Sequence, residues 1–283
     1  KFSLQGSNVC TICPVGKFAG SVGADMCDEC PAGDYADGTG SVSCKTCPAG
    51  EITASTGLGA CTKCAPGSYS PAPGGRSCTK CDEGTAQGNS AATKCLPCDS
   101  GTMSLQGATV CSICPAGKYS QSYANSCDDC EPGKYAANTK SGHCDDCDLG
   151  KYSPSGQAAC TNCAKGKYQG ARGQPSCTDC VKGKVTYIDG KASCEDCPVG
   201  KISMYDGLSK CTACSPGTYQ EDAGQSVCVN CSPGKIAGRP GSTGCTDCTA
   251  GRYQGLSAKS SCEICPAGKS SKSGALMCPP CSA

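Results

Sequence analysis

A chain of 283 residues with 34 Cys, no Trp, two Phe and a formal charge of +1 holds too little large apolar matter for one shared hydrophobic core. Its 25 basic and 24 acidic residues are intermixed, which gives no electrostatic reason to expect nucleic acid or an anionic membrane as partner. No apolar run approaches the roughly eighteen residues of a membrane span, so no membrane insertion is expected in this segment.

Residues 1–10, ending in Val9-Cys10, parallel residues 102–111, with Ser-Leu-Gln-Gly in both, and read as the end of a truncated repeat. From 11 to 278 the chain runs as complete repeats, and 279–283 begin another. Every Cys falls in a CxxC pair, from Cys10/Cys13 to Cys278/Cys281, and the step is always sixteen or seventeen residues. That is one continuous array of about sixteen units, with no linker.

Each complete unit has a Gly three residues after its second Cys, from Gly16 to Gly268. Pro-x-Gly, as at Pro115 to Gly117, is turn chemistry in which Gly supplies a positive φ. Two residues beyond the Gly stands a large apolar residue in fourteen of sixteen units, such as Phe18, Tyr35, Ile52, Tyr119 and Val185, with Ala86 and Ser270 the exceptions. That residue should start a short extended segment packed on a disulfide and on the neighbouring unit. A polar turn, such as 153–156, then leads back to the next Cys. The expected fold is a small disulfide-rich repeat: an elongated, solenoid-like rod of short irregular β-hairpins with little or no helix, because Gly and Ser interrupt every candidate strand.

Three pairing schemes compete. Bonds within CxxC make small rings suited to redox work. Crossed pairing of adjacent CxxC elements consumes them two at a time and leaves one of seventeen unpaired. Joining the second Cys of each pair to the first of the next gives uniform loops and accounts for both chain ends. It assigns Cys13–Cys27, Cys30–Cys44, Cys47–Cys61, Cys64–Cys78, Cys81–Cys95, Cys98–Cys111, Cys114–Cys127 and Cys130–Cys144. The series continues as Cys147–Cys160, Cys163–Cys177, Cys180–Cys194, Cys197–Cys211, Cys214–Cys228, Cys231–Cys245, Cys248–Cys262 and Cys265–Cys278. Cys10 and Cys281 are then expected to bond outside the segment, making it a window on a longer array. Each closed loop constrains the unfolded chain by about 3 kcal/mol, which can stand in for the missing core. So many bonds need an oxidising compartment, hence an extracellular or cell-surface location.

The unit Cys-Pro-Ala-Gly-Lys-Tyr…Cys-x-x-Cys, clearest from Cys114 to Cys130, resembles the ephrin-receptor-like cysteine-rich repeat and the first loop of tumour necrosis factor receptor modules. The resemblance covers essentially the whole chain and implies local disulfides, an elongated form and extracellular placement. It implies no kinase and no particular ligand. The unbroken array departs from such receptors, which carry a few modules among other domains. It is more similar to structural surface proteins of protists and algae, including flagellar-hair (mastigoneme) components.

Other chemistry has weaker support. CxxC spacing suits zinc, but seventeen pairs leave one without a mate and no alternation of long and short gaps appears. The single His, His143, reads as a surface loop residue rather than a catalytic base, and the pairs Asp128/Asp129 and Asp145/Asp146 as solvated edges rather than calcium ligands. No catalytic residue, metal or cofactor is expected, and the chain is not read as an enzyme. Ten units place Lys or Arg after the repeat Gly, giving a periodic mixed-charge surface suited either to solubility or to registering neighbouring rods. Asn230-Cys231-Ser232 is a glycosylation sequon, and Asn8 and Asn125 lie in weaker Asn-x-Cys contexts. The reading is an extracellular structural protein that assembles into a filament, coat or flagellar hair. Its expected partners are copies of itself or other extracellular structural proteins, and glycans. The alternative is the stalk or ligand-binding ectodomain of a receptor or adhesion protein.

Overall fold

The computed structural model describes residues 1–6 and 9–281, so Asn8 and the last two residues lie outside the described residues. The chain divides into two compact units, Lys1–Cys130 with Ala136–Cys144, and Glu131–Tyr135 with Asp145–Ala283. The first contains the loops from Cys13–Cys27 to Cys114–Cys127 and the second those from Cys147–Cys160 to Cys265–Cys278, the residues of the Cys130–Cys144 loop being assigned to both.

Among the described residues there is no helix, and the sheet structure consists of fifteen separate two-stranded antiparallel hairpins. Lys17–Phe18 pairs with Asp28–Glu29, Asp34–Tyr35 with Lys45–Thr46, and so on to Arg252–Tyr253 with Glu263–Ile264. The first strand of each begins directly after the repeat Gly, and the second is the interior of CxxC. The strands stay two residues long because a turn precedes the first and a buried disulfide ends the second. In that turn the Lys17 N–H donates to the Pro14 carbonyl at 3.1 Å while Gly16 holds a φ of +85°. This is the type II geometry that reserves its third position for Gly. The Cys30 N–H then donates to the Gly16 carbonyl at 3.0 Å and closes the hairpin base.

The core lies one step away from where the apolar pattern puts it. The second Cys of each CxxC is fully enclosed, at 0–1 % exposed from Cys13 through Cys248. The strand aromatics, Phe18 and Tyr35 among them, are half-buried, because a two-residue ribbon is too thin to cover a ring; Val185 and Ile202 are buried. The residue after each is the one that goes inside: Ala19, Ala36, Thr53, Ser70, Gln87 and Ser104 are all buried. The interior is therefore disulfides and small or polar side chains, with few large hydrocarbon groups.

Candidate functional site

The chemistry of this chain is concentrated where one loop meets the next. From Gly16 to Gly251 the N–H of each repeat Gly donates to the carbonyl of the residue three beyond the next repeat Gly, as Gly16 does to the buried Ala36 at 2.9 Å and Gly183 to the buried Ser203 at 2.9 Å. That buried residue sends its own N–H onward again, Ala36 to Leu58 at 3.2 Å and Ser203 to Gln225 at 3.2 Å. The carbonyl of each loop's opening Cys accepts from the left-handed residue of the next loop, as Cys30 does from Gly57 at 2.8 Å. Within each unit, backbone hydrogen bonds thus run loop to loop without any helix or continuous sheet.

Gly is required at the repeat position for a second reason. A Cβ built on Gly33 would lie 2.5 Å from the carbonyl oxygen of Gly74, two loops away, and Gly16 and Gly166 face Gly57 and Gly207 still more closely. At Gly251 and Gly268 no atom lies within 4 Å of such a Cβ. There the demand is conformational alone. A second left-handed position recurs four residues before each first Cys, filled by Gly in twelve loops and by Ala91, Tyr123, Lys140 and Ala258 in the others. A Cβ at Gly74 would meet nothing nearer than Thr46 Cγ2 at 3.4 Å, so side chains fit there at the cost of backbone strain alone.

The buried polar residues tie the loops. The Thr53 hydroxyl accepts from the Gly33 N–H at 2.7 Å and donates to the Asp34 carbonyl at 3.2 Å; Thr186 repeats this with Gly166 and Lys167. Gln220 spans its own loop, Nε2 donating to the Val227 carbonyl at 2.8 Å and Oε1 accepting from the Asp222 N–H at 3.0 Å. Gln87, Gln169 and Gln254 do the same. Sequence reasoning passed over this position because its occupants, Ala, Ser, Thr and Gln, share no hydropathy. Its fixed place three residues after the repeat Gly was the available signal.

Lysines after the repeat Gly meet acids at the second inner CxxC position directly across the hairpin. Lys17–Glu29, Lys118–Asp129, Lys134–Asp146, Lys167–Asp179, Lys184–Asp196 and Lys235–Asp247 lie 2.6–3.2 Å apart, all partly exposed. In these six repeats the charges are paired within the hairpin, whereas Lys151, Lys201 and Arg252 face Asn162, Ala213 and Ile264. The Thr56 hydroxyl, with Lys17, holds the Glu29 carboxyl below its ordinary range, and Lys45 does so for Asp37. Asp146 raises the ammonium of Lys134, and Glu263 the phenol of Tyr253.

The structure joins Cys13 to Cys27, Cys30 to Cys44 and each later pair through Cys265 to Cys278, always second Cys to next first Cys. The partners lie thirteen or fourteen positions apart in sequence, with Cα atoms 5.6–5.8 Å apart. Cys10 and Cys281 are exposed thiols. Asn230 is exposed in its hairpin opposite Thr218, whereas the Asn125 amide donates to Glu83 at 2.7 Å. Among the described residues no three His, Cys, Asp or Glu side chains gather as metal ligands, and no helix is long and apolar enough to cross a membrane.

The family model for tyrosine-protein kinase ephrin type A/B receptor-like repeats matches residues 1–47, 20–57, 150–197 and 200–244, together just over half of the chain. No curated protein matches it. With a uniform disulfide loop, a repeat Gly and a strand aromatic in the matched segments, the chain belongs to the ephrin-receptor-like family of cysteine-rich repeats.

Proposed function

We propose that this is an extracellular structural protein whose stapled loops form a stiff element of a filament, coat or flagellar hair. The observation that carries the reading is the bonding between loops. Each loop is closed by its own disulfide, and from Gly16 to Gly251 the repeat Gly hydrogen-bonds it to the next, at positions such as Gly16, Gly33 and Gly166 that leave no room for a side chain. Such an arrangement resists extension and proteolysis while enclosing little, and the surface hollows are shallow and open. Repeats of this family are an ectodomain-type module, which supports placement outside the cell. Partners are then copies of the chain or other extracellular structural proteins. Negative-stain microscopy of native material tests this: ordered filaments or coats are expected, and a strictly monomeric particle at native concentration would sink the reading.

One observation favours the alternative, a stalk or ligand-binding ectodomain. Equivalent turn positions in the adjacent loops Cys180–Cys194 and Cys197–Cys211 carry Tyr187-Ile188 and Met204-Tyr205, all exposed. Other loops have small or polar residues, or a single large apolar one, there. Exposed aromatics of this kind mark contact surfaces. If the alternative holds, Tyr187→Ser with Tyr205→Ser abolishes binding to target cells and leaves folding unchanged.

A further inference from the structure

The cross-strand pair of lysine and acid is replaced in one hairpin of particular interest. There Asn230 lies opposite Thr218, whose hydroxyl instead donates to the Ser215 carbonyl at 2.8 Å. The Asn230 side-chain amide hydrogen-bonds to no described residue and projects beside a shallow hollow of about 340 Å³. Tyr219, Glu221, Ser232 and Lys235 wall it, a ring for the face of a sugar and polar groups for its hydroxyls. The sequence here is Asn230-Cys231-Ser232, an acceptor for N-linked sugar.

The middle residue sets a condition. Cys231 is fully buried and bonded to Cys245; its N–H donates to the Gly217 carbonyl at 3.0 Å and its carbonyl accepts from the Ala258 N–H at 2.9 Å. An enzyme that grips Asn-x-Ser as a unit has no access to that backbone once these bonds exist. We propose that Asn230 carries an N-linked oligosaccharide, attached before Cys231 bonds Cys245, so that glycosylation and loop closure compete for the nascent chain. In the step, Asn230 Nδ2 bonds the anomeric carbon of a lipid-pyrophosphate-linked oligosaccharide. The bond from that carbon to the pyrophosphate oxygen breaks, the lipid pyrophosphate leaves with the electron pair, and the amide proton passes to the transferase. No oxidation state changes.

The inference rests on passage of the chain through an oxidising secretory route. The full chain is expressed by that route in a eukaryotic host, and its non-reduced peptides are mapped by mass spectrometry with and without glycosidase. Asn230 is expected to be partly glycosylated, the glycan lost in Asn230→Gln, and the occupied fraction raised by Ser232→Thr and by Cys231→Ser with Cys245→Ser. An unmodified Asn230 in secreted, disulfide-intact wild-type and Ser232→Thr chains would overturn the inference and leave the extracellular reading standing. Occupancy unmoved when Cys231 and Cys245 are both replaced would overturn the competition. A chain recovered reduced from the cytosol would overturn both the inference and the functional reading.

Discussion

A single methyl group distinguishes two left-handed positions of the loops, Gly33 and Gly74. At Gly33 both the φ of +96° and the carbonyl of Gly74 forbid it, whereas at Gly74 the φ of +76° alone opposes it. Gly33→Ala is therefore expected to cost about 3 kcal/mol or more, combining strain with a backbone collision. Gly74→Ala should cost about 1–2 kcal/mol, the left-handed penalty alone. Calorimetry of the two variants checks the order, and equal losses would contradict it. The charged pairs act at the same scale. Glu29 and Asp37 have folded-state pKa values below their ordinary 4.5 and 3.8, so their contribution is complete above those values and is lost as pH falls through the depressed folded ones. Melting temperatures followed from neutral pH to about pH 3 should show the wild type losing more than Glu29→Gln over that range, the difference shrinking in high salt.

At the scale of the element, the disulfide loop closes the unit and the polar residue inside it sets its shape. Gln220→Ala removes two hydrogen bonds across the Cys214–Cys228 loop and is expected to cost about 1–2 kcal/mol. Replacing Cys163 and Cys177 by Ser should cost about 3 kcal/mol by the loop-closure estimate. Hydrogen exchange should then quicken at Gly150, whose N–H donates to Gln169 inside that loop. Protection unchanged at Gly150 would show the loops to be independent. Much of the element was legible in the sequence. The fixed Gly and the Pro-x-Gly turn follow from spacing and turn chemistry, and the strand expected to start at Phe18 and Tyr35 begins one residue earlier, at Lys17 and Asp34, directly after the turn. The burial was not. Hydropathy points to Phe18 and Tyr35, while the enclosed residues are their neighbours Ala19 and Ala36. Enclosure is decided by backbone bonding between loops, which leaves no apolar period to read. For the same reason Gly16 read as a turn residue, and its contact with Gly57, two loops on, was hidden.

At the scale of the molecule, repetition makes each unit a series of equivalent contacts rather than a body around one centre. Stability should then be distributed, with unfolding that departs from two-state behaviour. The sites proposed above, Asn230, Tyr187 and Tyr205, all fall at positions where the repeats differ. Stability, and with it the proposed function, depends on the closure of each repeat by its own disulfide. Mass spectrometry of non-reduced peptides from native material tests this most directly. It is expected to recover Cys13 with Cys27, Cys30 with Cys44 and the same second-to-first linkage through Cys265 with Cys278. Crossed peptides such as Cys13 with Cys30, or reduced thiols along the array, would contradict it.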